Sequence, residues 1–555
     1  MVTSIISRTN SGPVEGFVDT HPVSEYSSAT RNLGPLSPIK KWLGIPYAQA
    51  QRWQRAQPPT PWTEPLQCFE FGPSFPQPIS AFDEMYAGRK GWFNRDFLGQ
   101  SEDAFSLNVF APATEGYSKV PVMVWVYGGN LNTGSSNMPI YDPSEFVRAQ
   151  ASSETPCVVV TGNYRLNAFG WLATKDLAEI NGHVGNFGLH DVIAIFEWVR
   201  ANIMEFGGDS NNVTAFGESA GAFLLGTLLK SRRRLFHRLI LQSGGYGLMG
   251  VNQKPNFAPY DELLAQIDPK LTSLSAGDRI NRLKTIPTAE LLNATQAFYH
   301  TGIWCLTCDP NEPGWASSVW DLVNKGDYDP WIESIIIGIN RDEGTFFNHR
   351  SQFWIRENAM KMIKDRRGFD DEVCTRLLDM YPPEYAAPDL SDLRSLPSTM
   401  VYSDSCYLMP MLHAGSKLTT VPNLRTGKLA RVYMYLCHTL PSRLLEGYEH
   451  FGVLHTGEIP FIFKRSSLWE GLDNGKDAKT SNIFGRFWSS FATSGSPGND
   501  WPMFTKDGGE ILIFSDGGKV SVGNAWEIRP AECQAWMNAA EKSITSGSKE
   551  TLADQ

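Results

Sequence analysis

A serine held between small residues at the end of a buried strand is an arrangement that exposes a hydroxyl for acyl chemistry. Residues 213–229 have this pattern. Val213 to Phe216 reads as an apolar strand, Gly217-Glu218-Ser219-Ala220-Gly221 follows, and a helix-like run extends from Ala220 to Leu229. The turn is so tight that only small residues can flank the serine. A bare Gly-x-Ser-x-Gly arises by chance roughly 0.4 times in a chain of this composition, so its position between strand and helix is what singles out Ser219. A serine hydroxyl needs a base to remove its proton, and its attack on a carbonyl creates an oxyanion that needs N–H donors. The segment Tyr127-Gly128-Gly129-Asn130 follows the strand pattern Val122-Met123-Val124-Trp125-Val126, and its glycines let backbone amides approach a ligand. An ordinary Gly-Gly turn is the plain alternative there. Two such turns in this order, each after a buried strand, point to one site.

The scaffold that positions these turns is legible in outline. Val120 to Tyr127, Cys157 to Thr161, Leu239 to Gln242, Ile335 to Ile339 and Val432 to Leu436 are short apolar runs of the kind buried in α/β sheets. Residues 188–206 read as a helix, with Ile193, Ile195, Phe196, Val199 and Ile203 near a 3.6-residue period. Strands alternating with helices predict an α/β fold, with a large, mostly parallel central sheet covered on both faces. The first 70 residues read as turn-rich, with Pro58-Pro59-Thr60-Pro61-Trp62 near their end, and residues 346–400 read as several inserted helices.

Composition narrows the function classes. The chain has 555 residues, 42% hydrophobic and 19% charged, which describes a well-packed globular protein. Its net charge of −10 has the wrong sign for binding a nucleic-acid backbone. No stretch approaches the length of a membrane span. The opening Met1 to Arg8 lacks the apolar core of a secretory signal, and Thr551 to Gln555 carries no retention or anchor signal, so the expected location is intracellular and cytoplasmic. The sequons at Asn212 and Asn293 point faintly the other way, at a frequency chance explains. Eight cysteines scattered over the chain make no disulfide framework. The pair Cys305-x-x-Cys308 has no second pair at metal spacing, so a structural reading is preferred and no metal is expected.

With these motifs in place, the sequence resembles the type-B carboxylesterase/cholinesterase family of α/β-hydrolases. The resemblance also rests on Trp42-Leu43-Gly44-Ile45-Pro46-Tyr47-Ala48, Ser101-Glu102-Asp103, Asn163-Tyr164-Arg165-Leu166, Asn186 to Asp191 and Phe206-Gly207-Gly208-Asp209, and it runs from about residue 10 to about 530. It implies one α/β-hydrolase domain over residues 1–555, with a helical excursion at 346–420 near an active-site gorge. It assigns the acid to Glu343 in Asp342-Glu343-Gly344 and the base to His455 in Gly452-Val453-Leu454-His455. The residues alone leave Glu343 as readily a solvated acid, and leave His438 and His450 as eligible as His455. The chain order Ser219, Glu343, His455 is that of an α/β-hydrolase. By the same resemblance the oxyanion donors are the amides of Gly129, Asn130 and Ala220. Gly128, Glu218 and Ser243 are supporting positions, and Arg52–Glu102 and Arg165–Asp191 are scaffold salt bridges.

Three positions depart from the family pattern. Asn130 stands where many members have a third glycine; asparagine tolerates positive φ, but its side chain would border the pocket. Phe75 and Ala104 replace both partners of a disulfide found in secreted members, in keeping with a reducing compartment. Trp92, in Gly91 to Asp96, is out of register with the choline-binding tryptophan of cholinesterases, so choline esters are not expected. The expected activity is hydrolysis of carboxylic esters or lactones through an acyl-enzyme, with a small-molecule substrate and no cofactor. Acyl transfer or a dedicated metabolite-processing step is the same-chemistry alternative. A non-catalytic adhesion or binding protein is the rival from another class, and a carrier role has no specific support.

Overall fold

Runs of apolar, β-branched residues that are buried on both faces can pair only inside a covered sheet, and they set the centre of this fold. The computed structural model describes residues 3–20, 37–78, 99–114, 119–246, 257–299, 304, 306–309, 312, 319–348, 356–367, 369–381, 393–442, 449–464 and 475–550. The strands are β1 (Thr3–Thr9), β2 (Gly12–Asp19), β3 (Ile39–Pro46), β4 (Leu66–Gln67), β5 (Ser106–Pro112), β6 (Val120–Val126) and β7 (Val158–Gly162). They continue with β8 (Gly208–Glu218), β9 (Arg238–Gln242), β10 (Ser334–Asn340), β11 (Arg431–Cys437), β12 (Glu510–Ser515) and β13 (Lys519–Asn524). All join one sheet in the order β1-β2-β3-β5-β7-β6-β8-β9-β10-β11-β12-β13, with β4 beside β2. From β7 to β12 the neighbours are parallel. The flanks are antiparallel apart from the short β4, which runs parallel to β2.

The central strands agree with the sequence reading, and so do the helix Phe187–Asn202 and the elbow helix Ala220–Thr227. The first 70 residues differ, because they supply β1 to β4 rather than turns alone. In β1 most side chains are exposed or half-buried, so an edge strand such as Thr-Ser-Ile-Ile-Ser-Arg-Thr carries little hydrophobic signal. Residues 346–420 contribute the helices Arg356–Arg367, Asp371–Leu378, Pro397–Ser403 and Met409–Thr420. Between the last two, Asp404–Leu408 winds as a π-turn. Residues 91–96, with Trp92, and Cys305 lie outside the described residues, as do 349–355 and 382–392 within the excursion.

Phe75 and Ala104 are both buried, and Phe75 meets Phe105 edge-on with ring centroids 5.0 Å apart. An aromatic contact therefore occupies the region where the family's disulfide was expected to be missing. Cys68, Cys157, Cys374, Cys437 and Cys533 are buried free thiols, and Cys308 and Cys406 are buried as well. Among the described residues no helix is long and apolar enough to cross a membrane.

The scaffold salt bridges form as expected. Arg52 grips Glu102 and donates to the carbonyls of Leu283 and Ile286 at 3.0 and 2.8 Å. Arg165 donates Nε and Nη2 to Asp191 at 2.7 Å each, and Nη1 to the carbonyl of Gln54 at 2.7 Å. This ties the loop after β7 to the helix Phe187–Asn202. Both side chains are buried, so removing one partner leaves the other charge uncompensated. Arg165→Met is therefore expected to cost about 3–5 kcal/mol of stability, read as an earlier midpoint in urea unfolding followed by circular dichroism.

Candidate active site

The parallel strand β8 ends at Glu218, and the backbone reverses at Ser219 with φ 54° and ψ −123° before the elbow helix begins. A positive φ at a non-glycine residue stores about 1–3 kcal/mol of strain and persists only where the surroundings enforce it. Here Ser219 N–H donates to the carbonyl of Gln242 on β9 at 2.9 Å, and Phe223 N–H donates to the carbonyl of Ser219 at 2.9 Å. Gly221 completes the turn because a Cβ there would lie 2.0 Å from the carbonyl oxygen of Val126. Ser219 keeps 9% of its surface accessible.

Glu343 and His455 come from the loops after β10 and β11, two and three strands along the sheet from β8. Glu343 follows β10, and its Oε1 accepts from Ser243 Oγ at 2.6 Å and from the Asn340 amide at 2.7 Å. Its Oε2 lies 2.6 Å from Nδ1 of His455. The neighbouring Asp342 fastens the two loops together: its amide donates to the carbonyl of Val453 at 2.9 Å, and its Oδ2 accepts from the Val453 amide at 2.7 Å. Glu343 and His455 are thus joined directly, and His438 and His450 are not part of this bond.

No hydrogen bond joins Ser219 Oγ to the imidazole. His455 Nε2 has no hydrogen-bond partner, and it lies 3.0 Å from Oε1 of Glu218, the residue preceding Ser219. The imidazole is thus buried between Glu343 and Glu218, turned toward the carboxylate of the residue before Ser219. Burial pushes the Glu218 carboxyl well above the usual carboxylate range. Burial also opposes an imidazolium at His455, but the carboxylates of Glu218 and Glu343 outweigh it and hold His455 up at about 9.

Two features went unread in the sequence. Glu458, fully buried, accepts from Asn340 Nδ2 at 2.5 Å, from Gln242 Nε2 at 3.3 Å and from the Tyr435 hydroxyl at 3.4 Å. Burial and the nearby Glu343 raise its pKa. Nothing in Thr456-Gly457-Glu458 separates that acid from a surface one. The second feature is an aromatic wall: Phe346, Phe347 and Tyr407 have ring centroids 5.8, 5.3 and 5.0 Å from the His455 ring. The Phe346-Phe347 pair directly after Asp342-Glu343-Gly344-Thr345 was its only available signal.

The loop after β6 turns as expected. Gly129 has φ 115° and Asn130 has φ 57°, so asparagine occupies the left-handed region that the loop demands. A Cβ on Gly128 would lie 2.6 Å from Glu218 Oε2 and 2.9 Å from Ser219 Cβ, which shows how closely this loop abuts the elbow. Among the described residues, the amides of Gly129, Asn130 and Ala220 donate to no protein acceptor.

A mostly parallel sheet with a strained serine between strand and helix, and a carboxylate–imidazole pair beside it, defines an α/β-hydrolase. The chain belongs to the Carboxylesterase family, whose profile matches residues 4–536. It is 30% identical over 504 residues to the para-nitrobenzyl esterase of Bacillus subtilis (strain 168), spanning 86% of this chain and 91% of that protein. It is 28% identical over 550 residues to the fumonisin B1 esterase of Sphingopyxis macrogoltabida, spanning 94% and 92%. The solved structure of a thermophilic PNB esterase superposes with a TM-score of 0.76 at 25% identity, over 96% of this chain and 100% of that one. The protein is a carboxylic ester hydrolase.

The electrostatics make a signed prediction. Glu218 raises the pKa of His455, so Glu218→Gln lowers it and leaves the imidazole neutral at lower pH. The acidic limb of kcat/KM for 4-nitrophenyl acetate, recorded from about pH 5 to 9, is expected to move to lower pH in this variant. A limb that stays in place or moves upward contradicts the assignment of that charge.

Proposed function

We propose that the ester is cleaved through an acyl-enzyme on Ser219, with His455 as base and Glu343 as its orienting acid. The observation that carries this reading is the 2.6 Å bond between Glu343 and His455 Nδ1, with Glu343 itself fixed by Ser243 and Asn340. That bond holds the proton on Nδ1 and presents Nε2 as the acceptor. Nε2 takes the proton of Ser219 Oγ as the oxygen attacks the ester carbonyl, a step that requires the imidazole to turn from Glu218 toward the serine. The oxyanion is met by the amides of Gly129, Asn130 and Ala220, each worth about 3 kcal/mol of transition-state stabilisation. The imidazolium then gives its proton to the departing alkoxide, and the alcohol leaves. Water repeats the sequence, losing its proton to His455 as it attacks the acyl-enzyme, and Ser219 is restored as the acid product leaves.

The substrate proposed is a small-molecule carboxylic ester with an apolar group against Phe346, Phe347 and Tyr407. A lactone fits the same chemistry, because attack opens the ring without changing any step. The described strands, from β1 to β13, form one sheet, which supports reading the chain as one domain with residues 346–420 as an excursion within it.

Labelling with a fluorophosphonate probe and peptide mapping is expected to find the adduct on Ser219. Ser219→Ala should lower turnover of 4-nitrophenyl acetate by about 10⁴-fold or more while leaving the circular dichroism spectrum unchanged. Turnover retained in that variant refutes the assignment.

A further inference from the structure

We propose that the ion pair between the buried Asp404 and the half-buried Arg529 is a positioning device for the acid and the base, acting through residues 402–407; this inference rests on the function proposed above. That segment touches both halves of the candidate machinery. The hydroxyl of Ser403 accepts from the amide of Gly344, the residue after Glu343, at 2.9 Å, and donates to the carbonyl of Thr399 at 2.8 Å. The approach is close enough that a Cβ on Gly344 would lie 2.2 Å from the Thr399 carbonyl oxygen. Four residues on, Tyr407 lies against the His455 ring, and Tyr402 stacks on Phe347 with centroids 4.3 Å apart. One short stretch of chain therefore supports the loop of Glu343 and the ring of His455 together.

The stretch is not a regular helix. Asp404–Leu408 winds as a π-turn, and the extra residue per turn brings Tyr407 onto the imidazole. A cavity of about 340 Å³, lined in part by Glu343, Ser403, Leu408 and Arg529, lies beside it. Packing beside the turn is therefore incomplete, which leaves part of its hold to directed polar contacts. The first residue of the turn supplies the hold. The carboxylate of Asp404 is fully buried and accepts from Arg529 Nε at 2.7 and 3.0 Å and from the Tyr381 hydroxyl at 2.7 Å. Tyr381 in turn accepts from Trp536 Nε1 at 2.9 Å. Arg529 immediately precedes the helix Pro530–Glu550 and Trp536 lies in its second turn, so the entry to the last helix pins the turn that carries Tyr407.

The variants Arg529→Met, Arg529→Lys, Ser403→Ala and Tyr407→Leu separate positioning from mere folding, with Ser219→Ala run alongside. Thermal unfolding and circular dichroism report the fold; 4-nitrophenyl ester kinetics across pH report the site. Groups facing His455 are Glu218, Glu343, Glu458 and Tyr407, and those facing Asp404 are Arg529, Tyr381, Glu532 and Cys533. Loosening Glu343 from His455 removes an interaction that raises the imidazole's pKa. The expected result for Arg529→Met is therefore a fall in kcat of about tenfold or more, with the acidic limb moved to lower pH and KM changed less than kcat. Arg529→Lys, which keeps the cation, should recover part of kcat, and Ser403→Ala and Tyr407→Leu should reproduce the fall and the shift. Should Arg529→Met fail to fold, the last two variants decide the matter. Folded variants with wild-type kcat and pH profile overturn the positioning role, and if Ser219→Ala is inactive they do so without touching the acyl-enzyme reading. Turnover retained in Ser219→Ala overturns both.

Discussion

The contact between Glu343 and His455 is a carboxylate–imidazole bond closed off from water, and most of the structure around it exists to make that tolerable. Ionised groups inside a protein are costly unless every partner is in place. Glu343 meets the requirement with a serine hydroxyl, a backbone amide and the imidazole. Ser243 and Asn340 sit at the ends of β9 and β10, whose parallel pairing fixes their separation. Asp342 then sutures the Glu343 loop to the His455 loop through the Val453 amide and carbonyl. The sheet is less a frame than a ruler for this one bond.

Around the imidazole the protein gathers more negative charge than it can leave ionised. Glu218, Glu343 and Glu458 are all buried within reach of one another's fields. Burial and mutual repulsion push Glu218 and Glu458 toward their neutral forms, while His455 is driven toward its charged one. Protons in such a cluster belong to the group rather than to single residues. The orphaned Nε2 of His455 faces Glu218, the residue before Ser219, at 3.0 Å.

What could be read in the sequence followed the strength of the local signal. The buried parallel strands were legible because they are apolar on both faces, and Ser219 was legible because a steric rule fixes its neighbours. Glu343 and His455 were identified only through family resemblance, since neither an acid in a Gly-flanked turn nor one histidine among ten declares itself. The flanking strands β1 to β4 escaped; in β1, at the edge of the sheet, most side chains are exposed or half-buried, which dilutes the pattern. Glu458, Tyr407 and the Asp404–Arg529 pair escaped for a different reason: their importance lies in what they touch across 100 residues or more of chain, or in a π-turn that no periodicity announces. Asn130 went the other way, for its departure from glycine was visible at once and its backbone conformation was foreseen correctly.

The order in which the chain visits the sheet has a kinetic consequence. Ser219 closes β8, Glu343 follows β10, His455 comes after β11, and Arg529 arrives after β13. Contacts so distant along the chain must be closed against loop entropy, so they form late in folding. A collapsed intermediate can hold the central strands and the serine turn without holding the Glu343–His455 pair. Ester turnover is then the last property the polypeptide acquires, and its appearance during refolding would time the arrival of the final helix rather than the formation of the sheet.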